Sequence, residues 1–305
     1  MASSRLIHGK LRDYLGDVKE NGNDPFAVLL FSHLRRDGEN CLHHRGNLVG
    51  VLLGGDSVRH LDERTFLRLG GCLGYVNGHV RFSGLPEPQR KVATQRLGEG
   101  SVFASYEHFN GRLLKTNALA KVSLGYGRNV QHRTDEDRFD YRARFGGVHL
   151  IIAGEGVRNL LRIIGTQIGP WWGCSYAFVH QGSHTERGSG EEIFSQTKVN
   201  HAALASLLGI NVEREMETGG LRLCGKVGWE RQILQRHGSC TASIATTDWI
   251  NFQPKMPGSS RDALIISGSF RRHLTANWSI SATWQGHFAS HATSSDAGIK
   301  IGYTF

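Results

Sequence analysis

No stretch of this 305-residue sequence stays apolar long enough to cross a membrane as a helix, which takes about 20 consecutive apolar residues. Helical membrane proteins are thereby excluded. A membrane barrel is not, because only alternate residues of each strand then face lipid. A profile of 39% hydrophobic and 21% charged residues with a mean hydropathy of −0.32 looks soluble, but it cannot separate a soluble β protein from such a barrel. Cysteine is scarce. Cys41, Cys72, Cys174, Cys224 and Cys240 form an odd set without a Cys-x-x-Cys pair, so zinc and redox motifs find no support. Three of the five fall in strand-like segments, which leaves the loop residues Cys41 and Cys240 as the candidate disulfide.

Glycine is abundant, with 39 residues. Many sit inside apolar runs such as Leu69-Gly70-Gly71-Cys72-Leu73-Gly74-Tyr75, where each would cost a helix about 1 kcal/mol. Curved, closely packed strands tolerate them. The net charge of +9 invites a nucleic acid or another anionic surface as partner. The basic residues are scattered, however, and read as loop and lumen charges; no nucleic-acid partner is expected.

Residues 5–18 carry helical periodicity, with Ile7, Leu11, Tyr14, Leu15 and Val18 on one face. Asn21-Gly22-Asn23-Asp24-Pro25 breaks it. From there the period becomes twofold. Leu67, Leu69, Leu73 and Tyr75 oppose Arg68, Gly70, Cys72 and Gly74; Ala120, Val122, Leu124 and Tyr126 oppose Lys121, Ser123 and Gly125. Leu221, Leu223, Val227 and Trp229 oppose Arg222, Cys224, Lys226 and Glu230, and Trp278, Ile280, Ala282 and Trp284 alternate with Ser279, Ser281, Thr283 and Gln285. One apolar and one wet face result.

Such segments predict about twelve strands, near 26–34, 46–56, 65–76, 100–109, 117–128, 143–154, 164–180, 199–212, 220–233, 262–272, 277–288 and 296–305. Short links (60–63, 110–112, 155–158, 217–219, 274–276) take turns with longer ones (77–99, 129–142, 181–198, 234–261) that hold Pro86, Pro88, Pro254 and Pro257. Short turns at one end and long loops at the other mark an outer-membrane barrel. The competing reading, a soluble β-sandwich, has no reason to sort its loops this way and would expose Trp278, Trp284, Tyr303 and Phe305 as an apolar patch. The opening Met-Ala-Ser-Ser-Arg lacks the apolar core of a secretory signal. The barrel reading therefore expects this chain to be a fragment of a longer product.

The chain ends with Ile299, Ile301, Tyr303 and Phe305 on one face and Lys300, Gly302 and Thr304 on the other. Such an ending offers a strand edge with side chains for a partner groove. Together with Leu11-Arg12-Asp13-Tyr14-Leu15-Gly16-Asp17 leading into Phe26-Ala27-Val28-Leu29-Leu30-Phe31, with Val227-Gly228-Trp229-Glu230-Arg231, and with the hairpin from Trp278, it resembles the autotransporter β-domain of type V secretion. The chain departs from that family in its basic loops and its cysteines. Asn21 and Asn23 are not adjacent and lie outside the helix, so self-cleavage there finds no support.

The resemblance implies an all-β fold, a transmembrane antiparallel barrel of about twelve strands with an N-terminal helix in the lumen. It implies two regions, a linker helix and pore plug over 1–25 and a translocator barrel over 26–305. The helix would present Leu11, Tyr14, Leu15 and Val18, and the lumen would present Arg68, Glu107, Lys121, Arg222, Lys226, Glu230 and Arg271 to its polar face. Ile299, Ile301, Tyr303 and Phe305 would be the assembly signal. The implied partners are outer-membrane lipid of a Gram-negative bacterium, the barrel-assembly machinery, periplasmic chaperones and an N-terminal passenger that the barrel exports and anchors. A passenger-less barrel acting as pore or adhesin is the alternative, distinguished by what precedes residue 1 in the gene.

Enzymatic and cofactor chemistry find little footing. His43 and His44 are neighbours and would point to opposite faces of a strand. His180, His184 and His201 lack a carboxylate at ligand spacing. Ser183-His184 has no third residue to orient the base, and Gly125-Tyr126-Gly127 lies on a strand and opens no helix. No catalytic, metal or cofactor site is expected.

Overall fold

A computed structural model describes residues 23–36, 43–83, 90–110, 114–134, 137, 139–188, 193–216, 220–237, 242–245, 249–252, 261–275 and 277–303. Twelve antiparallel strands form the wall. They are β1 (Asn23–Arg36), β2 (His43–Asp62), β3 (Thr65–Ser83), β4 (Arg90–Asn110), β5 (Leu114–Thr134), β6 (Asp140–Arg158), β7 (Thr166–Gln181), β8 (Val199–Met216), β9 (Leu221–His237), β10 (Asp262–His273), β11 (Trp278–Ala289) and β12 (Ala292–Tyr303). Each pairs with its sequence neighbour among these twelve, and β1 pairs with β12 from Phe26↔Gly302 to Arg36↔Ala292. Closure removes the free edges that an open sheet would present.

The fold corrects one expectation. Among the described residues no helix occurs, in the lumen or elsewhere; their architecture is an all-β closed barrel. The segment expected to supply the helix, with Leu11, Tyr14, Leu15 and Val18, falls outside the described residues. The interior is packed by the wall's own side chains: Val28, Leu30 and Ser123 are 0% exposed and Lys121 only 2%. They occupy space that a helix, about 10 Å across with its side chains, would need.

The strands are also longer than the alternation of apolar residues suggests. β2 to β6 run 19 to 21 residues, whereas crossing the hydrocarbon takes about 9–11. Segments 77–83, 90–99 and 129–134, read as loop from sequence, continue the ladder through pairs such as Asn77↔Arg96 and Arg96↔Arg128. Backbone hydrogen bonding does not require an apolar face, so the strands persist where the outward face has turned polar.

Turns gather at one end, between 62 and 65, 110 and 114, 158 and 166, 216 and 221, and 273 and 278. Asn23 (opposite Ser57) and Tyr303 (opposite Trp278) lie at this same end. The two longest loops at the other end build a four-stranded sheet in the order 249–252, 242–245, 193–196, 184–185. Inward glycines shape the wall. The Phe26 ring lies over Gly54, Phe103 over Gly70 and His149 over Gly125, each where a Cβ would collide.

Candidate functional site: the barrel wall and its lumen

Side-chain alternation sorts the wall into two surfaces. Leu29, Val49, Leu73, Val102, Leu124, Ile152, Leu208, Val227, Trp284 and Ile299 point outward and are exposed. A soluble protein would not display so continuous an apolar girdle; it is the lipid face of a membrane barrel. Trp278 and Tyr303 meet edge to face at 4.9 Å at its short-turn margin, where amphipathic rings settle at a membrane interface.

The lumen is layered. Near the short-turn end lies a charged collar. Arg68 Nη1 is 2.9 Å from Asp56 Oδ2 and Lys115 Nζ is 3.0 Å from Glu107 Oε2, all four side chains being nearly inaccessible. Asn117 Nδ2 donates to Glu107 Oε1 at 2.9 Å, and Arg222 pairs with Glu213. At mid-height Glu99 joins Lys121 at 3.4 Å and His149 at 2.8 Å, with side chains at most 6% exposed. Ser101 donates to Glu99 at 3.1 Å and bonds Ser123 at 2.9 Å. A buried carboxylate with two cationic or hydrogen-bonding partners is the way such a charge survives in low dielectric. Beside this cluster Phe26, Val28, Leu30, Leu48, Leu52, Val76, Leu97 and Phe103 pack into one apolar body. Across the barrel the lumen loosens into a cavity of about 100 Å³ bounded by Trp171, Lys226, Glu230 and Gln285.

The loop end is covered from within. Glu186 is buried and accepts from Arg133 Nη2 at 2.9 Å. Arg133 belongs to the inward set of β5 and stacks on inward Tyr141 at 4.2 Å. His184 stacks on inward Phe145 at 4.4 Å, and Gly182 N–H donates to the Gly146 carbonyl at 2.8 Å. Burial holds the His184 imidazole below its ordinary value of 6.5; Lys91 adds to the shift and Glu186 opposes it. The small outer sheet is thus seated on the inner face of β5 and β6, at the mouth.

The sequence model of the autotransporter β-domain matches residues 30–285. The chain belongs to the autotransporter β-domain family. Solved barrels agree in fold. The translocator domain of NalP from Neisseria meningitidis superposes with a TM-score of 0.73 at 15% identity, covering 100% of this chain and 95% of that one. The transport unit of AIDA-I from Escherichia coli gives 0.66 at 13%, covering 99% and 98%. The β domain of Bordetella BrkA gives 0.65 at 12%, covering 93% and 100%. A comparison with curated protein sequences found no match. As an autotransporter β-domain the chain is an outer-membrane translocator barrel of type V secretion in a Gram-negative bacterium, a family of transport pores rather than enzymes.

Of the residues singled out by sequence, Arg68, Glu107, Lys121 and Lys226 are buried inside this autotransporter barrel. Lys226 Nζ lies 5.4 Å over the Trp171 ring, Glu230 meets His287 at 3.2 Å, and Arg271 Nη1 is buried without a hydrogen bond. They do not converge on one point: Arg68, Glu107, Arg222 and Arg271 sit toward the short-turn end, Lys121 and Glu230 higher. Ile299 and Ile301 are exposed on the outward face and Tyr303 is half-buried; Phe305, Cys41 and Cys240 fall outside the described residues. Sequence reasoning missed Asp56, Glu99, Lys115, His149 and Glu186. Alternation could have found Glu99, which is in phase with Ser101 and Phe103, but its segment read as loop.

Proposed function

We propose that this barrel exports an N-terminal passenger and anchors it at the cell surface, with the region before residue 26 as linker and 26–305 as translocator domain. The observation that carries this is the position of β1: Asn23 opposes Ser57 at the short-turn end, so a polypeptide joined ahead of it reaches the periplasmic mouth of the lumen. No nucleotide is available outside the inner membrane, so passenger folding and strand pairing drive export. The tightly packed interior implies that passage precedes final closure of the lumen. Periplasmic chaperones deliver the chain, and the barrel-assembly machinery reads Ile299, Ile301, Tyr303 and Phe305, of which Ile299 and Ile301 are exposed on the outward face. Arg68, Glu107, Lys121, Arg222, Lys226, Glu230 and Arg271 line the route.

The test is a secreted fusion with a small reporter domain ahead of residue 1. Protease added to intact cells should digest the reporter, and Phe305→Ala should lower the amount of heat-modifiable barrel. A correctly assembled barrel whose reporter stays protected in the periplasm would favour a pore or adhesin without cargo.

A further inference from the structure

The connection from β6 to β7 is unlike the other described short turns. The turn after β2 holds itself with Asp62, which accepts from the Arg64 N–H and from the Thr65 hydroxyl, each at 2.7 Å. In the turn after β10, Thr275 accepts from the N–H groups of Asn277 and Trp278. Each of these two turns shows water one exposed leucine, Leu61 or Leu274. Between β6 and β7, Leu160, Leu161, Ile163 and Ile164 are all more than half exposed, Ile164 at 87%. Among the described residues Ile164 is also the only one besides glycine with a positive φ, 49°, a strained geometry for a β-branched side chain. The barrel gains neither burial nor a relaxed backbone from isoleucine here. Strain that the local fold does not need points to a role outside it.

The tip does not lie in lipid. On this side of the barrel the outward apolar face gives way to arginine: Arg158 of β6 stands opposite Thr116, Arg214 of β8 comes one outward step past Val212, and Arg272 of β10 one step past Phe270. All three are exposed. Arginine stems lie along apolar surface while the heads reach polar surroundings, so these residues mark the inner headgroup level. Ile164 follows Arg158 by six residues. At about 3.3 Å per residue and a strand tilt of about 40° it stands roughly 10–15 Å deeper, past a headgroup layer of about 5–8 Å. The tip therefore faces periplasmic water, and its charge is of one sign. Among the described residues no ion pair holds Arg158, Arg162 or Arg214, and the neighbouring carboxylates Glu213 and Glu215 turn inward toward Arg222. A second copy of the chain would set these arginines against their own images. Charge selects an acidic partner.

We infer that the β6–β7 tip is a docking knob for a soluble periplasmic protein that offers an apolar pocket rimmed by carboxylates. Ile163 and Ile164 fill the pocket, and Arg158, Arg162 and Arg214 meet the rim. A tight two-residue turn presents the isoleucine already ordered, which lowers the entropic cost of binding. An apolar anchor at the centre of a charged rim is the arrangement of a binding hot spot. The inference rests on the short turns facing the periplasm and not on cargo export, so a barrel without a passenger would keep it.

The experiment expresses the whole chain in intact Gram-negative cells with the photo-crosslinker benzoylphenylalanine in place of Leu161, and sequences by mass spectrometry what is joined to the barrel. Irradiation should give one discrete adduct with a soluble periplasmic protein, attached at a segment where apolar residues adjoin Asp or Glu. In the same background Ile164→Asn should cut its yield about tenfold and Arg158→Gln/Arg162→Gln about fivefold, while the amount of heat-modifiable barrel does not fall. The captured protein, purified, should bind the barrel in lipid nanodiscs with the same order of affinities and more weakly as salt rises. The crosslinker in place of Leu274 should give no such adduct. Adducts only with lipid, with a second copy or with residues 1–22 of the same chain would each overturn the assignment. So would the absence of any discrete adduct, or one whose yield Ile164→Asn leaves unchanged.

Discussion

The wall from β1 to β6 and the wall from β10 to β12 obey the same alternation and use it differently. The first is tall, packs an apolar body and buried ion pairs on its inner face, and carries arginine rows outside. The second has strands of 12 residues and an inner face that adds Ser267, Ser281, Thr283 and Asp296 to the apolar Ala263 and Ile265. Both show lipid the same apolar outer face. The membrane therefore dictates only one side of a barrel, and the other side is free to be a largely apolar core in one sector and a buried, more polar lining in another. Rigidity should follow this division.

The sharpest break in that contrast is Glu99→Leu. It leaves Lys121, whose side chain is 0% exposed, without its carboxylate, and removing one partner of a buried pair costs about 3–5 kcal/mol. Urea unfolding in lipid should register this loss, while Ser281→Ala on the low wall should stay within about 1 kcal/mol. Equal effects would mean that the tall wall is not a core. Glycine offers the next comparison. Gly70→Ala would push a Cβ into Phe103, the Gly55 carbonyl and Asp56, an overpacking cost of about 1–3 kcal/mol. Gly268→Ala meets nothing nearer than the Cys224 carbonyl at 4.0 Å and should be neutral or stabilising by about 0.4–1 kcal/mol.

The mouth tests where the tall wall ends. Glu186→Gln weakens a charge-assisted contact to Arg133 worth about 1.5 kcal/mol or more. Amide exchange at Gly182 and Glu186 should quicken roughly tenfold while mid-strand amides of β5 stay protected. His184 gives this seat a pH dependence of known sign. Its seated form resists protonation, so seating is strongest above the free value of 6.5 and is lost progressively as pH falls from there. His184→Phe should keep the stacking on Phe145 and Phe194 and remove the dependence. Exchange at these two amides that, corrected for intrinsic chemistry, does not respond to pH would count against that role for the imidazole.

Twelve strands and the sorting of turns from loops were legible because lipid imposes alternation on one face, as in Leu67 to Tyr75. The assignment of Arg68 and Lys121 to the opposite face follows from the same rule. Their partners were harder to see. Glu99 and Arg96 lie where polar side chains occupy both faces, so the contrast that marks a strand disappears although its hydrogen bonds do not. Arg35, Arg45 and Arg81 are distant in sequence and become a row only through register, which composition cannot express; they looked scattered. The expected lumen helix failed for a different reason: periodicity in 5–18 says which face is apolar but not what fills the lumen.

The smallest expected effect lies below both walls, in the one described turn that breaks its own local rule. The strand segment 161–163 pairs back on β7 through Ile163↔Thr166, leaving Ile164 and Gly165 as the two turn residues at φ 49° and 76°. Two positive φ values mark the hairpin turn in which Asn-Gly is favoured. A β-branched residue is strained there, and Ile164 is also 87% exposed, so its side chain gains little from burial in return. Ile164→Asn should therefore raise the urea midpoint, by up to about 1 kcal/mol. A loss of stability instead would mean that Ile164 makes an apolar contact in the lipid-embedded barrel, and would extend the lipid-facing surface below the Trp278–Tyr303 margin on this side.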